Sequence, residues 1–152
     1  MAASARAASA NHTLTIYAVS TKGQYADHSD DRKRGVLDNP FNADENQIKG
    51  NGSTVRVGDN ALIEFKLYSD KSFKKQIGSG TYSCTFTTAH IALCEADFEL
   101  ADGMMSATGP ANFDATSFTL AVSGGTGHYL GARGQVSSLP VGKGHRLTFI
   151  LR

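Results

Sequence analysis

The chain lacks tryptophan altogether and carries only three prolines and two cysteines in 152 residues. With so few cysteines it is not a disulfide-dense mini-scaffold, and the core must come from ordinary side chains. Neither sign of charge dominates: 15 Lys plus Arg stand against 14 Asp plus Glu. A nucleic-acid footprint, which needs a basic face, is therefore not expected. No apolar run approaches the ~20 residues of a membrane-spanning helix, so no membrane span is expected. The five histidines, His12, His28, His90, His128 and His145, are scattered and lack metal-ligand spacing, so no metal is expected. His28 lies among Asp27, Asp30 and Asp31, which reads as a solvated acidic loop rather than a cation site. The neighbouring Arg32-Lys33-Arg34 neutralises it. No G-x-S-x-G elbow and no H-E-x-x-H helix is present.

What the chain does have is period-two alternation. In "HTLTIYAVS" (12–20), Leu14, Ile16 and Ala18 alternate with Thr13, Thr15 and Tyr17. In "NALIEFKLYS" (60–69), Ala61, Ile63, Phe65 and Leu67 alternate with Glu64, Lys66 and Tyr68. Such alternation marks half-buried strands. Further strands are predicted over 78–88, 91–100, 104–113, 117–124, 132–139 and 145–152, separated by Asp-, Gly- and Lys-containing turns. Gly23 to Asn60 is polar and reads as loops around short elements near Phe41 and Val55. About eight short strands without a helical stripe predict an all-β domain, a closed antiparallel barrel or a sandwich. Residues 1–11, small and Ala/Ser-rich, are expected to be a disordered arm or leader remnant, with one domain over 12–152.

A hairpin centred near Ala89 would place residues whose numbers sum to 178 opposite one another, and Cys84 and Cys94 satisfy that sum. Directly opposed positions have Cβ atoms within about 5 Å, close enough for a disulfide. Two reduced core cysteines are the alternative. A bridge would argue for an oxidising compartment. The sequons Asn11-His12-Thr13 and Asn51-Gly52-Ser53 point the same way, so a secreted location is favoured over a cytoplasmic one.

The glycine-rich "SGGTGHYLGARGQV" (123–136) contains G-x-G, but its next glycine, Gly131, falls one place too late for a dinucleotide fingerprint. The residues after it are strand-like rather than helical, so the glycines are expected at a hairpin turn or barrel corner.

That stretch also carries a resemblance. "LAVSGGTGHYLGARGQV" (120–136) resembles the T-G-G-x-G…G-Q-V signature of plant allene oxide cyclases. Segments 57–84, 104–113 and 14–20 resemble three more of that family's segments in order, and the G-G-T-G…A-R-G element is also similar to that of dirigent proteins. Some bacterial spirocyclases and Diels–Alder-type cyclases resemble the same barrel. The resemblance implies a calycin-type, eight-stranded antiparallel barrel with an apolar pocket. It also implies a homo-oligomer, trimer or dimer, and ring closure or coupling of a reactive small molecule without a cofactor.

Carried over residue by residue, the cyclase machinery is largely missing. Its inward glutamate and asparagine correspond to Ala18 and Ser20, its pocket asparagine to Phe65, the phenylalanine before that to Ile63, and its tyrosine after G-P to Ala111. The inward cysteine is kept as Cys84. These replacements argue against allene oxide cyclisation itself. Arg133 instead matches the dirigent arginine, which lies in the pocket; a strand-end arginine reaching solvent is the alternative. The alternation then predicts a tunnel lined by Ile16, Ala18, Ile63, Phe65, Cys84, Phe86, Phe98 and Ala111, with Ser20, Tyr82 and Arg133 as its candidate catalytic groups. Such a lining suits a hydrophobic ligand held by shape. The other reading is that these side chains simply fill the barrel.

Overall fold

The computed structural model describes residues 11–26, 34–37, 48–49 and 55–152. The strands run in the order β1 (His12–Ala26), β2 (Arg34–Leu37), β3 (Ile48–Lys49), β4 (Asn60–Tyr68), β5 (Gln76–Phe86), β6 (Ile91–Leu100), β7 (Gly103–Asn112), β8 (Phe118–Gly125), β9 (Gly134–Val141) and β10 (Gly144–Leu151). Each of β4 to β10 pairs antiparallel with the next, β4 pairs with β1, and β10 returns to β1. Eight strands thus close a barrel. β2 and β3 extend the sheet from the far end of β1 through the pairs Gln24–Val36 and Val36–Lys49.

Alternation explains the wall. On β4, Ala61, Ile63, Phe65 and Leu67 are buried, while Lys66 is exposed and Glu64 half-buried. On β6, Ala92, Cys94, Ala96 and Phe98 are buried between exposed neighbours. The interior is stacked with rings: Phe65 on Tyr82 (4.9 Å between centroids), Phe98 on Phe149 (5.0 Å) and Phe86 on Phe113 (4.9 Å).

Two expectations are corrected here. Gly23 to Ala26 is not loop but the continuation of β1, past a bulge between Ser20 and Lys22. The extra residue, Thr21, shifts the inward parity. Ala18 faces in before it, and Gly23 and Tyr25 are buried after it. Val55 is buried but belongs to no strand. The expected element near Phe41, the acidic loop around His28, the Asn51 sequon and the arm before Asn11 lie outside the described residues.

Phe65 has room because position 80 opposite it is glycine. A Cβ on Gly80 would lie 2.4 Å from the Phe65 ring and 2.3 Å from the Asp97 carbonyl oxygen. Gly80→Ala is therefore expected to destabilise the fold by about 2 kcal/mol, the scale of overpacking in a filled core. Urea unfolding checks this, and a cost near zero would show that the ring is not confined.

The glycine-rich 123–136 stretch forms the β8–β9 corner, with a short 3-10 turn at Gly127–Tyr129 in place of a phosphate-cradling helix. Gly127 takes φ +59°, and a Cβ there would lie 2.4 Å from the Asp102 carbonyl oxygen. The corner packs onto the β6–β7 turn through His128 N–H to Asp102 O (2.8 Å) and Thr126 N–H to Met104 O (2.8 Å).

Candidate functional site

Cys84 and Cys94 are directly opposed in the β5–β6 ladder and joined by a disulfide, with S–S 2.03 Å and Cα–Cα 4.1 Å. Both sulfurs belong to the inner face. Beside them lies a cavity of about 20 Å³. Its wall is formed by Ile63, Tyr82, Cys84 and Cys94 on one side and by Ala111, Asn112, Phe113 and Phe118 on the other. That volume accommodates about one water-sized group. Aromatic rings and aliphatic side chains pack the surrounding interior.

Of the residues singled out from the sequence, Ile63, Tyr82, Cys84 and Ala111 meet at this cavity. Ile16, Ala18, Phe65, Phe86 and Phe98 are inward and buried, but they lie in the surrounding core rather than on its wall. Ser20 is inward on β1. Its Oγ is buried and has no hydrogen-bond partner among the described residues. Tyr82 packs its ring on Phe65, Phe98 and Phe118, with Phe118 at 5.7 Å. Burial pushes the Tyr82 phenol well above its usual range, so it stays protonated at any ordinary pH.

Arg133 does not enter the barrel. Just before β9, Ala132 is the buried residue of the pair. Arg133 is exposed and donates from its guanidinium to the Ser123 carbonyl at 2.9 Å. The solvent-facing alternative describes it, and the pocket position suggested by the dirigent likeness is corrected.

Several inward polar residues were not anticipated. His145 on β10 is buried, and its Nδ1 lies 3.0 Å from Ser138 Oγ on β9. Burial pulls its imidazole down from 6.5 to about 4, so it is neutral at neutral pH. Alternation along "HRLTFILR" could have revealed it, since His145 shares parity with Leu147 and Phe149. Tyr25 and Asp59 close one end of the barrel: the Tyr25 hydroxyl donates to Asp59 Oδ2, which also accepts from the Arg56 N–H at 2.7 Å. The bulge hid Tyr25, because uninterrupted parity would put it outside. Among the described residues no cluster of His, Cys, Asp and Glu could hold a metal ion, and no helix is long and apolar enough to cross a membrane.

The strands close into an all-β antiparallel barrel. No family model and no curated protein matches the chain, but solved structures do. A pyocyanin demethylase superimposes with TM-score 0.69 at 21% identity, covering 93% of this chain and 100% of that one. AbnU, an exo-specific intermolecular Diels–Alderase, gives TM-score 0.58 at 16% identity over 93% of this chain and 98% of its own. The pterocarpan synthase dirigent protein GePTS1 gives 0.55 at 12% identity over 96% of this chain and 86% of its own. At these identities the likeness is one of fold.

Proposed function

We propose that the barrel binds an apolar, reactive small molecule and steers its ring closure or the stereochemistry of its coupling. The observation that carries this reading is the cavity itself. Apart from Asn112 its wall is aliphatic, aromatic and disulfide, with the Tyr82 ring on one side. Such a wall holds a ligand by shape and can favour a folded, near-attack conformer. The named neighbours support the class: the same barrel serves a demethylase, a Diels–Alderase and a dirigent protein. No cofactor is needed for this work, because orientation supplies it. Tyr82 contributes a neutral hydroxyl to a substrate oxygen, and Ser20 is a second polar contact for a ligand that reaches deeper. The apolar lining also fits a non-catalytic binder of a lipid, polyene or terpenoid, and turnover separates the two.

The exposed Ile91, Leu93 and Leu62 on the outer faces of β6 and β4 support a homo-oligomer, and the buried disulfide supports an oxidising compartment.

The test is to incubate the protein with a panel of linear dienes bearing tethered dienophiles and to resolve the products by chiral chromatography. Steering yields an enantiomeric excess above the buffer background. Tyr82→Phe keeps that excess and slows turnover less than about tenfold, whereas loss of a general acid would cost 10²–10⁴. Saturable binding with racemic product at the background rate supports the non-catalytic reading. Absence of binding across the panel rejects both.

A further inference from the structure

The hydrogen-bonded ladder between β7 and β8 is interrupted beside the cavity. β7 and β8 pair only from Met105–Gly125 to Thr108–Ala121. Beyond that point Gly109–Asn112 remains paired with β6, and Phe118–Leu120 with β9. The sequence supplies a reason. The short Cα separation of 4.1 Å marks Cys84–Cys94 as a non-hydrogen-bonded pair. Alternation across β6 then makes Cys94–Gly109 a hydrogen-bonded pair and turns the nitrogen of Pro110 toward β8. Proline has no N–H to give, so the ladder lacks the bond that this position would donate to β8. The same parity agrees with the Phe113 N–H, which reaches back to the His90 carbonyl on the β6 side at 2.8 Å.

Residues on both sides of this interruption line the cavity: Ala111, Asn112 and Phe113 on one side, Phe118 on the other. The connection between them folds inward. Phe113 is 8% exposed and rests on Phe86. One residue on, the Asp114 carboxylate meets His90 Nδ1 at 2.7 Å, with both side chains about half exposed. A buried plug is thus followed directly by a solvent-accessible tie to the β5–β6 turn.

We propose that the β7–β8 connection is a lateral gate into the barrel, with Phe113 as its plug and the His90–Asp114 contact as its latch. A cavity of about 20 Å³ admits no ring-sized ligand while the plug is seated. Withdrawing the Phe113 ring enlarges the cavity and opens it toward the seam where β7 and β8 have lost their ladder. The gate deepens the ligand-binding reading given above and rests on it for its purpose, but it can be tested without a ligand. The Cys84–Cys94 bridge lies behind the plug, 2% exposed at each cysteine, and so reports on opening.

Reduction of the folded protein by dithiothreitol is followed by mass, the bridge gaining two hydrogens as the reagent closes to its cyclic disulfide. Asp114→Asn is expected to speed reduction about two- to fivefold, the scale of a solvent-exposed side-chain contact. Phe113→Ala is expected to speed it at least about tenfold, because a buried ring is lost. Both rates should be flat at low urea, as local opening requires. Uptake of the neutral dye N-phenyl-1-naphthylamine should quicken in the same order. Equal reduction rates in wild type and both variants would overturn the gate, as would rates that climb with urea from the lowest concentrations. Faster reduction without dye uptake in any variant upholds the gate and rejects the apolar-ligand reading. Asp114→Asn, altered only at a half-exposed side chain, keeps the test open if Phe113→Ala does not fold.

Discussion

Breaking the Cys84–Cys94 bridge is expected to lower the unfolding free energy by about 3 kcal/mol, from the loop-closure entropy of a cross-link between residues 10 apart. The bridge joins strands that are already neighbours through a tight turn, so its main effect is on the unfolded chain, which gains conformations when it opens. In the native state the β5–β6 ladder runs through both positions, from Gly78–Leu100 to Phe86–Ala92, and holds the strands with or without the sulfur bond. The reduced protein should therefore keep its near-ultraviolet circular dichroism while its urea midpoint falls. Replacing both cysteines by alanine should cost more than reduction, because each is 2% exposed and lines the cavity. A reduced protein as stable as the oxidised one would mean that the unfolded chain keeps this hairpin.

His145 should make the protein acid-sensitive well above the carboxylate range. Its imidazole is buried, and burial holds it at about 4 against an ordinary 6.5. The unfolded chain therefore takes up this proton first, and stability must rise with pH across the interval. The contribution is complete above about pH 6.5. It is lost as pH falls from there to about 4, where the folded protein protonates too. The full effect is about 3 kcal/mol, at about 1.4 kcal/mol for each tenfold difference in proton affinity. His145→Gln keeps a hydrogen-bonding partner for Ser138 Oγ without a titrating group. Urea unfolding of both proteins from pH 7 to pH 4 isolates the contribution, since carboxylates common to both cancel in the difference. Parallel curves would show that the imidazole accepts its proton in place.

Much of the wall was legible before any coordinates. Seven of the eight barrel strands begin and end within about two residues of where alternation and turn chemistry place them, and the cysteine register is the one that the hairpin sum requires. Ile63, Tyr82, Cys84 and Ala111 were readable as inward, and they do meet at the cavity. The misses share a cause. Parity carries along a strand only while the pleat is regular. The bulge at Ser20–Lys22 reversed it and brought Tyr25 to Asp59. At Arg133, motif likeness and parity disagreed. Ala132 is the buried residue there, and the arginine lies outside.

By itself the sequence determined the all-β class, where most barrel strands fall along the chain and which side chains a regular strand turns inward, because these follow from a local period of two and from residues that demand turns. Tertiary structure decided the rest: the meeting of Ser138 with His145, and the ring stacking that shrinks the interior to a small cavity. Each of these depends on how strands distant in sequence are staggered around a closed barrel, and no local pattern encodes that stagger.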